Sequence, residues 1–172
     1  MKETTHIGEK IRIQLFKEER SIIWLAEKLN YERDNIYRLM KRNSLNTHLL
    51  LRISIILKHD FFMYYSKHLP DCIISIFFDT MKESIHIGNE IRKLLFKEKK
   101  SIIWFARKLH YERDNVYKLL KRPSLCTHLL FRISKILKHD FFAYYSKYLQ
   151  DRYSLKCSCS IIGRVENLPL KS

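Results

Sequence analysis

The chain has 172 residues, a formal net charge of +15 and a sequence pI near 9.7, a balance that favours nucleic acid or an anionic membrane over a neutral small substrate. A membrane partner is not expected, because the longest apolar run, CIISIFF at residues 72–78, is far shorter than the ~20 residues of a spanning helix. The N-terminus, MKETTHIGEK, has no apolar core of a signal peptide, so we expect a cytoplasmic protein.

The sequence is a tandem duplication with a period of 80 residues. Of the 70 pairs formed by residues 1–70 and 81–150, 49 are identical. A unit of this size that recurs once suits a small domain with its own core better than a solenoid repeat. We therefore predict domains at residues 1–69 and 85–149, with a linker at 70–84 and a C-terminal tail at 150–172.

Positive charge is concentrated in the second copy. Residues 1–80 carry a net charge of +3, residues 81–150 carry +10, and residues 151–172 carry +2. The second copy is therefore expected to hold a polyanion more tightly than the first.

The first predicted helix begins at Ile7 and the second follows Ser21, whose hydroxyl is a suitable N-cap. We expect the second helix to end near Leu29, and Asn30 and His110 to adopt a left-handed backbone in the turn. Helical spacing predicts apolar stripes at Ile7, Ile11, Leu15 and Phe16 in the first helix and at Trp24, Leu25 and Leu29 in the second.

The third predicted helix, within DNIYRLMKR, has a narrow apolar face and a wide polar one. Its inner residues are Ile36, Leu39 and Met40. The residues expected to face outward are Arg33, Asp34, Asn35, Tyr37, Arg38, Lys41 and Arg42.

A fourth helix follows, with Ser44 or Thr47 as its expected cap, and Asp60 is placed to cap a fifth. The residues expected to be buried along these two helices are Leu50, Ile53, Ile56, Leu57, Phe61, Phe62 and Tyr65. Only three glycines and three prolines occur in the whole chain, which leaves little but helix. The predicted fold is all-α, with five helices in each copy.

The pattern resembles the phage-repressor-like helix-turn-helix domains, the xenobiotic-response-element type that includes lambda repressor, over residues 7–62 and 87–142. The run IGEKIR opens helix one, Ala26 and Ala106 fill the crossing of helices two and three, and SLNTHLLLRISIILKHDFF is similar to the last two helices of that family. Two features differ from the family pattern. Ile22 and Ile102 replace a frequent phosphate-binding Gln, and the turn glycine is replaced by Asn30 and His110.

The resemblance implies two tandem helix-turn-helix domains whose third helices enter the major groove of double-stranded DNA. At those positions Asn would pair with adenine, Arg with guanine, and Tyr with a thymine methyl or a phosphate, while basic residues past the helix would hold phosphates. Asp34 and Asp114 are expected as helix caps, with a cytosine contact as the alternative. The DNA-binding residues so implied are Arg33, Asp34, Asn35, Tyr37, Arg38, Lys41 and Arg42, and in the second copy Arg113, Asp114, Asn115, Tyr117, Lys118, Lys121 and Arg122.

Other chemistry is not expected. The four cysteines do not recur at equivalent positions, no metal-ligand spacing or nucleophile–base pair is present, and so we predict neither cofactor, metal nor enzymatic activity. The paired tyrosines at 64, 65, 144 and 145 are expected in the core. The histidines at 48, 59, 128 and 139 are expected to be caps or surface groups.

The predicted function is therefore sequence-specific binding of duplex DNA by a bacterial or phage-type transcriptional regulator, with both copies reading repeated or inverted half-sites. A protein-interaction module, antitoxin-like in its partner binding, and an RNA-binding protein are the alternatives. Self-association could use the apolar linker, the last helix or the tail. The linker is expected either to pair as a strand with residues 160–165 or to continue as a helix that packs the copies together.

Overall fold

A computed structural model describes residues 6–69 and 85–161 of the chain, with side chains as far as residue 153, and every named secondary-structure element in this part is a helix. The helices of the first copy are α1 (Ile7–Lys17), α2 (Ile22–Leu29), α3 (Arg33–Met40), α4 (Thr47–Ile56) and α5 (Met63–Ser66). Those of the second copy are α6 (Ile87–Lys97), α7 (Ile102–Leu109), α8 (Arg113–Leu120), α9 (Thr127–Leu137) and α10 (Phe142–Ile161). The all-α prediction is confirmed for the described residues.

Helix α2 begins and ends where the sequence predicts, and for the predicted reasons. The Ser21 hydroxyl accepts a hydrogen bond from the Trp24 amide at 3.0 Å, and the Ser101 hydroxyl accepts the equivalent bond at 3.1 Å. At the other end, Asn30 and His110 have φ angles of 57° and 56°. This left-handed residue stops each helix and turns the chain into the next one.

The backbone of the second copy repeats that of the first in its least common conformations. Among the residues that the structure describes, six non-glycine residues have positive φ, and they form three pairs one repeat apart: Glu19 and Lys99, Asn30 and His110, and Lys58 and Lys138. Such conformations are uncommon for residues with a side chain. Their recurrence indicates that the two sequences fold in the same way despite their differences in charge.

The packing of α1 against α3 depends on a glycine. A Cβ atom on Gly8 would lie 2.2 Å from the Met40 carbonyl oxygen, and the Gly8 amide donates a 3.2 Å hydrogen bond to the Arg42 carbonyl. Gly88 is in the same situation, with 2.4 Å to the Leu120 carbonyl oxygen. The start of α1 is therefore held directly against the end of α3, where the predicted phosphate-binding residues begin.

The predicted apolar stripe of α1 is wrong at one position. Ile7, Ile11 and Leu15 are buried, but Phe16 is 85% exposed, as is its equivalent Phe96 at 88%. At about 100° per residue, Ile7, Ile11 and Leu15 lie on one face of α1, and Phe16 lies about 140° from the centre of that face. In α4, Ile56 is only partly buried although it was expected inside.

The predicted caps of α4 and α5 also need correction. Asn46, not Ser44 or Thr47, caps α4, and its side-chain oxygen accepts from the His48 amide at 2.9 Å. Thr47 is fully buried, and its hydroxyl accepts hydrogen bonds from residues of the second copy. Asp60 accepts from the Phe62 amide at 2.8 Å, which stabilises the turn before α5 without capping the helix itself.

The two copies pack against each other through the segment that precedes α4 and α9. Asn46 and Cys126 form an isolated antiparallel bridge, in which the Thr47 amide donates to the Leu125 carbonyl and the Thr127 amide to the Leu45 carbonyl, both at 2.8 Å. The hydroxyl of each threonine accepts a further bond from the tyrosine of the opposite copy. Tyr65 donates to Thr127, and Tyr145 donates to Thr47, each at 2.9 Å.

Aromatic rings stack across the same interface between the two copies. The rings of Phe62 and Tyr145 stack with centroids 4.5 Å apart, and those of Tyr65 and Phe142 stack at 4.6 Å. All four side chains are buried. Burial raises the pKa of Tyr65 and of Tyr145 to about 12, so both phenols stay protonated and remain donors. Of the four tyrosines expected in the core, Tyr65 and Tyr145 join the two copies, and all but Tyr64 are buried.

The last helix runs past the predicted end of the second domain. Helix α10 continues beyond Leu149, where a tail was expected, and the Tyr153 hydroxyl donates a 2.7 Å hydrogen bond to the Ser54 carbonyl of the first copy. The predicted linker, residues 70–84, lies outside the described residues, and so does most of the segment 160–165, of which residues 160 and 161 are helical.

Candidate nucleic-acid interface

Every residue that the sequence singled out for DNA contact lies on the outer side of α3 or α8 or directly after these helices, and all fourteen are exposed. The opposite side of each helix is apolar and buried, with Ile36, Leu39 and Met40 in α3 and Val116, Leu119 and Leu120 in α8. Burial of these three residues fixes the rotation of the helix, because they lie on one face. Arg33, Asn35, Tyr37 and Arg38 are thereby presented to solvent.

Several of these side chains share one depression in the second copy. It has a volume of about 260 Å³ and is lined by Tyr111, Asn115, Lys118, Leu119, Arg122 and Leu129. An amide, two cations and an aromatic ring thus meet on a single surface, a combination that can contact base edges and phosphates together. Tyr111 was not among the predicted contacts, although the identical Tyr31 and Tyr111 immediately precede the recurring Glu-Arg-Asp-Asn sequence.

The arginines at the start of the two helices have different neighbours. The guanidinium of Arg33 lies over the Tyr37 ring, 5.3 Å from its centroid. The equivalent Arg113 instead lies 3.9 Å from the Asp114 carboxylate, and both of those side chains are largely exposed. Exposed pairs of this kind contribute little to stability, so either arginine can exchange its neighbour for a base or a phosphate.

The expectation that Asp34 and Asp114 cap their helices is wrong. The N-cap positions belong to Glu32 and Glu112, whose side chains make no capping hydrogen bond, and the two aspartates lie inside the first turn. An acidic residue there interacts favourably with the positive end of the helix. It also sets a negative charge beside Arg33 and Arg113.

An arginine outside the predicted site holds the turn that leads into each of these helices. Arg52 of α4 donates to the Leu29 carbonyl at 3.0 Å, and Arg132 of α9 donates to the Leu109 carbonyl at 3.2 Å. Arg52 also lies over the Tyr31 ring at 5.9 Å. The signal in the sequence was an arginine at the same place in the apolar runs LLLRISIIL and LLFRISKIL, although the second run also contains Lys135.

The histidines do not all lie at the surface. His48 and His128 are exposed, but His139 is 3% exposed and His59 is partly buried, so the expectation is wrong for His139. Burial lowers the pKa of both His59 and His139, against the opposing effect of the neighbouring aspartates. The His59 Nε2 atom lies 3.3 Å from the Tyr64 hydroxyl, whereas that of His139 has no hydrogen-bond partner among the described residues.

Apolar side chains are also exposed at equivalent places in the two copies. Besides Phe16 and Phe96, Ile23 and Ile103 are 47% and 51% exposed. Trp24 is less accessible, because it packs against the core and the Arg20 guanidinium covers its ring at 4.9 Å. These residues form a second type of surface, distinct in composition from the polar face of α3 and α8.

The described residues hold no group of three or more His, Cys, Asp or Glu side chains placed to bind a metal ion. Cys126, the one cysteine whose side chain is described, is exposed and has its sulfur 3.3 Å from the Ser44 hydroxyl. In residues 6–69 and 85–161, no helix combines the length and the apolar character that crossing a membrane requires.

No protein-family model matches the chain, and the comparisons with curated proteins and with solved structures found no significant match.

Proposed function

We propose that the chain is a sequence-specific double-stranded DNA-binding protein, a transcriptional regulator of bacterial or phage type. In this proposal α2 with α3, and α7 with α8, act as helix-turn-helix units. The observation that carries it is the identical exposed set Arg-Asp-Asn-x-Tyr at the start of α3 and of α8. A short helix with such an outer face presents hydrogen-bonding groups that suit base edges in the major groove.

The surroundings of these helices suit a nucleic-acid partner. Lys41, Arg42, Lys121 and Arg122 follow the helices directly and are exposed, as is expected of residues that hold phosphates. The backbone after α3 is fixed by the hydrogen bond from Gly8 to Arg42, and the turn before it by Arg52. The candidate helix is thus supported at both ends, which preorganises its outer face for binding.

Protein binding is the alternative function, and the exposed phenylalanines favour it. Phe16 and Phe96 are among the large apolar side chains most exposed to solvent, and they recur in both copies. Aromatic residues are enriched in interfaces with partner proteins, although single exposed apolar side chains are also common on ordinary protein surfaces. A single apolar ring in each copy is nevertheless a smaller feature than the polar faces of two helices and a net charge of +15.

Binding measured against salt concentration tests the proposal. The log affinity for a duplex DNA of random sequence should fall linearly with log salt, with a slope of several units, because counterions are released from the phosphates. Lys121→Ala with Arg122→Ala should reduce the slope by about 1 for each lost phosphate contact. Arg152→Ala, which removes a positive charge from α10, is the control and should leave the slope nearly unchanged.

Two results would contradict the proposal. A folded protein that binds no duplex at low salt would remove DNA as the partner. A preference for single-stranded RNA over duplex DNA would indicate an RNA-binding protein, which reads unstacked bases by aromatic stacking.

A further inference from the structure

The contacts between the two copies are reciprocal. Around Thr47 and Thr127, each contact between the copies is matched by one in which the equivalent residues exchange roles; the Tyr153–Ser54 bond is not matched, because Ile73 stands at the position equivalent to Tyr153. The Tyr65–Thr127 bond is matched by Tyr145–Thr47, and the Tyr65–Phe142 stack by Phe62–Tyr145. The Leu45–Thr127 bond from amide to hydroxyl, at 3.2 Å, is likewise matched by the Leu125–Thr47 bond at 3.3 Å.

Two pairs consist of a residue and its own equivalent. Asn46 bridges to Cys126, and the Phe62 ring lies 6.4 Å from the Phe142 ring, each pair being one repeat apart. A residue can meet its own equivalent in this way only near a two-fold rotation axis, because a head-to-tail arrangement always joins two different surfaces. The two copies are therefore related by a pseudo-two-fold axis that passes between these pairs.

We infer that one chain is a complete two-fold reading unit and that it binds an inverted repeat of fixed spacing without a second chain. This inference rests on the proposed function. The same axis that relates the copies relates α3 to α8, so a duplex bound by both helices at once would meet them as a two-fold pair. A direct repeat would require one copy to turn over, which the buried contacts at Thr47 and Thr127 oppose.

The spacing follows from the burial of the interface. Thr47, Thr127, Phe62 and Phe142 are fully buried, so the copies are held to each other by packed side chains as well as by the linker. A linker alone would allow half-sites at many separations. Packed copies allow one separation between the half-sites. The surface that joins the two copies is buried within one chain, so a second chain cannot pair through it.

The two DNA half-sites are not expected to have the same base sequence. The recognition helices differ at one exposed position, where Arg38 of α3 is replaced by Lys118 of α8. Arg forms a planar fork for guanine and Lys a single charged point, so the bases read at this position can differ. The selected site should therefore be an inverted repeat with a difference in one half.

Selection of bound duplexes from a random pool, followed by rearrangement of the selected site, tests the inference. The expected result is one inverted repeat with a single spacing, bound by one chain as measured by native mass spectrometry. Turning one half-site into a direct repeat, with the base composition unchanged, should weaken binding on the order of 100-fold. Inserting five base pairs should do the same, since it turns one half-site by about half a helical turn.

The outcomes separate this inference from the proposed function. A direct repeat, two chains on each site, or an affinity that tolerates the insertion would overturn the inference while DNA binding stands. Enrichment of a single unrepeated half-site would have the same meaning. A pool from which the folded protein enriches no sequence, together with no binding to any duplex at low salt, would overturn both.

Discussion

The two copies of the repeat share the caps, turns and contacts that set their packing, and they differ in their surface charge. Both have the same serine cap before the second helix, the same left-handed turn, the same glycine against the third helix and the same aromatic residues at the interface. Residues 6–42 nevertheless carry nine Lys or Arg and six Asp or Glu, whereas residues 86–122 carry eleven and four. The difference lies almost entirely outside the core.

This comparison separates residues that define the fold from residues that, under the proposed function, set the strength of DNA binding. The exposed Arg-Asp-Asn-x-Tyr set is the same in α3 and α8, but the flanking charges are not. Five pairs account for the difference: Glu9 and Asn89, Lys10 and Glu90, Ile13 and Lys93, Glu19 and Lys99, and Glu27 and Arg107. Substitutions in the interior should therefore act equally in the two copies, and substitutions of surface charge unequally.

The largest effect is expected from the glycines that hold α1 and α6 against the helices that follow them. Gly8→Ala and Gly88→Ala should each lower the free energy of unfolding by about 3 kcal/mol, because the new Cβ atom would press on backbone oxygen. Urea unfolding followed by circular dichroism measures the loss. Arg12→Ala, an exposed substitution in α1, should stay within about 0.5 kcal/mol of the original protein.

Equal losses at Gly8 and Gly88 would support equivalent packing in the two copies. A stable Gly88→Ala protein beside an unstable Gly8→Ala protein would contradict it.

A smaller effect is expected from the hydrogen bonds that join the copies. Tyr65→Phe and Tyr145→Phe should each cost about 1 kcal/mol, since each removes a buried bond to a threonine hydroxyl. The two losses should be equal because the bonds are reciprocal. Tyr37→Phe, on the exposed face of α3, serves as the control and should leave stability nearly unchanged. A loss at only one of the two interface tyrosines would show that the interface is not symmetric.

A further effect is expected from substitutions of surface charge, which should change duplex binding. Glu27→Arg gives this position of the first copy the residue found at the equivalent position of the second, and Arg107→Glu makes the reverse change. If the proposed function is right, the first should strengthen duplex binding and the second weaken it, each changing the salt slope by about 1. Fluorescence anisotropy at several salt concentrations measures both. Asp151→Arg in α10 is the control, and an equal gain from it would mean that only net charge matters.

The smallest expected effect concerns the pH dependence of stability at His139, which is buried, and at His59, which is partly buried. Burial lowers the pKa of His139, so the folded protein favours the neutral ring and loses stability as the pH falls below 6.5, the ordinary pKa of the group. His139→Gln should therefore lose less stability between pH 7.5 and pH 5 than the original protein. His59→Gln should show a weaker difference, because His59 is less buried and has Tyr64 beside its ring. Identical pH profiles for the original protein and His139→Gln would contradict this account.

The local structure of one copy could be predicted because it depends on neighbours in the sequence. A hydroxyl before an apolar run caps a helix, and Asn tolerates the left-handed conformation, so Ser21 and Asn30 were correctly placed. The outer face of α3 was predicted correctly because the spacing of Ile36, Leu39 and Met40 places these three residues on the inner face. The assignment of DNA as the ligand of that face remains a proposal.

The contacts between the copies could not be predicted from spacing within one copy. Thr47 is a residue type common at helix caps, and Tyr65 is one common in cores. Nothing in the sequence around them indicates partners 98 and 62 residues away. Phe16 was misplaced for a related reason, since periodicity gives the width of an apolar stripe but not the point at which the core ends. The buried His139 depends on how α10 packs, which is also a tertiary effect.

The most direct test of the central claim compares the original protein with the double variant Asn35→Ala and Asn115→Ala on a selected duplex and on a scrambled duplex. The account predicts that the variant stays folded, keeps its salt-dependent binding to the scrambled duplex and loses most of its preference for the selected one, by about 1–3 kcal/mol for each lost base contact. Unchanged discrimination between the two duplexes would contradict the claim that α3 and α8 read the DNA.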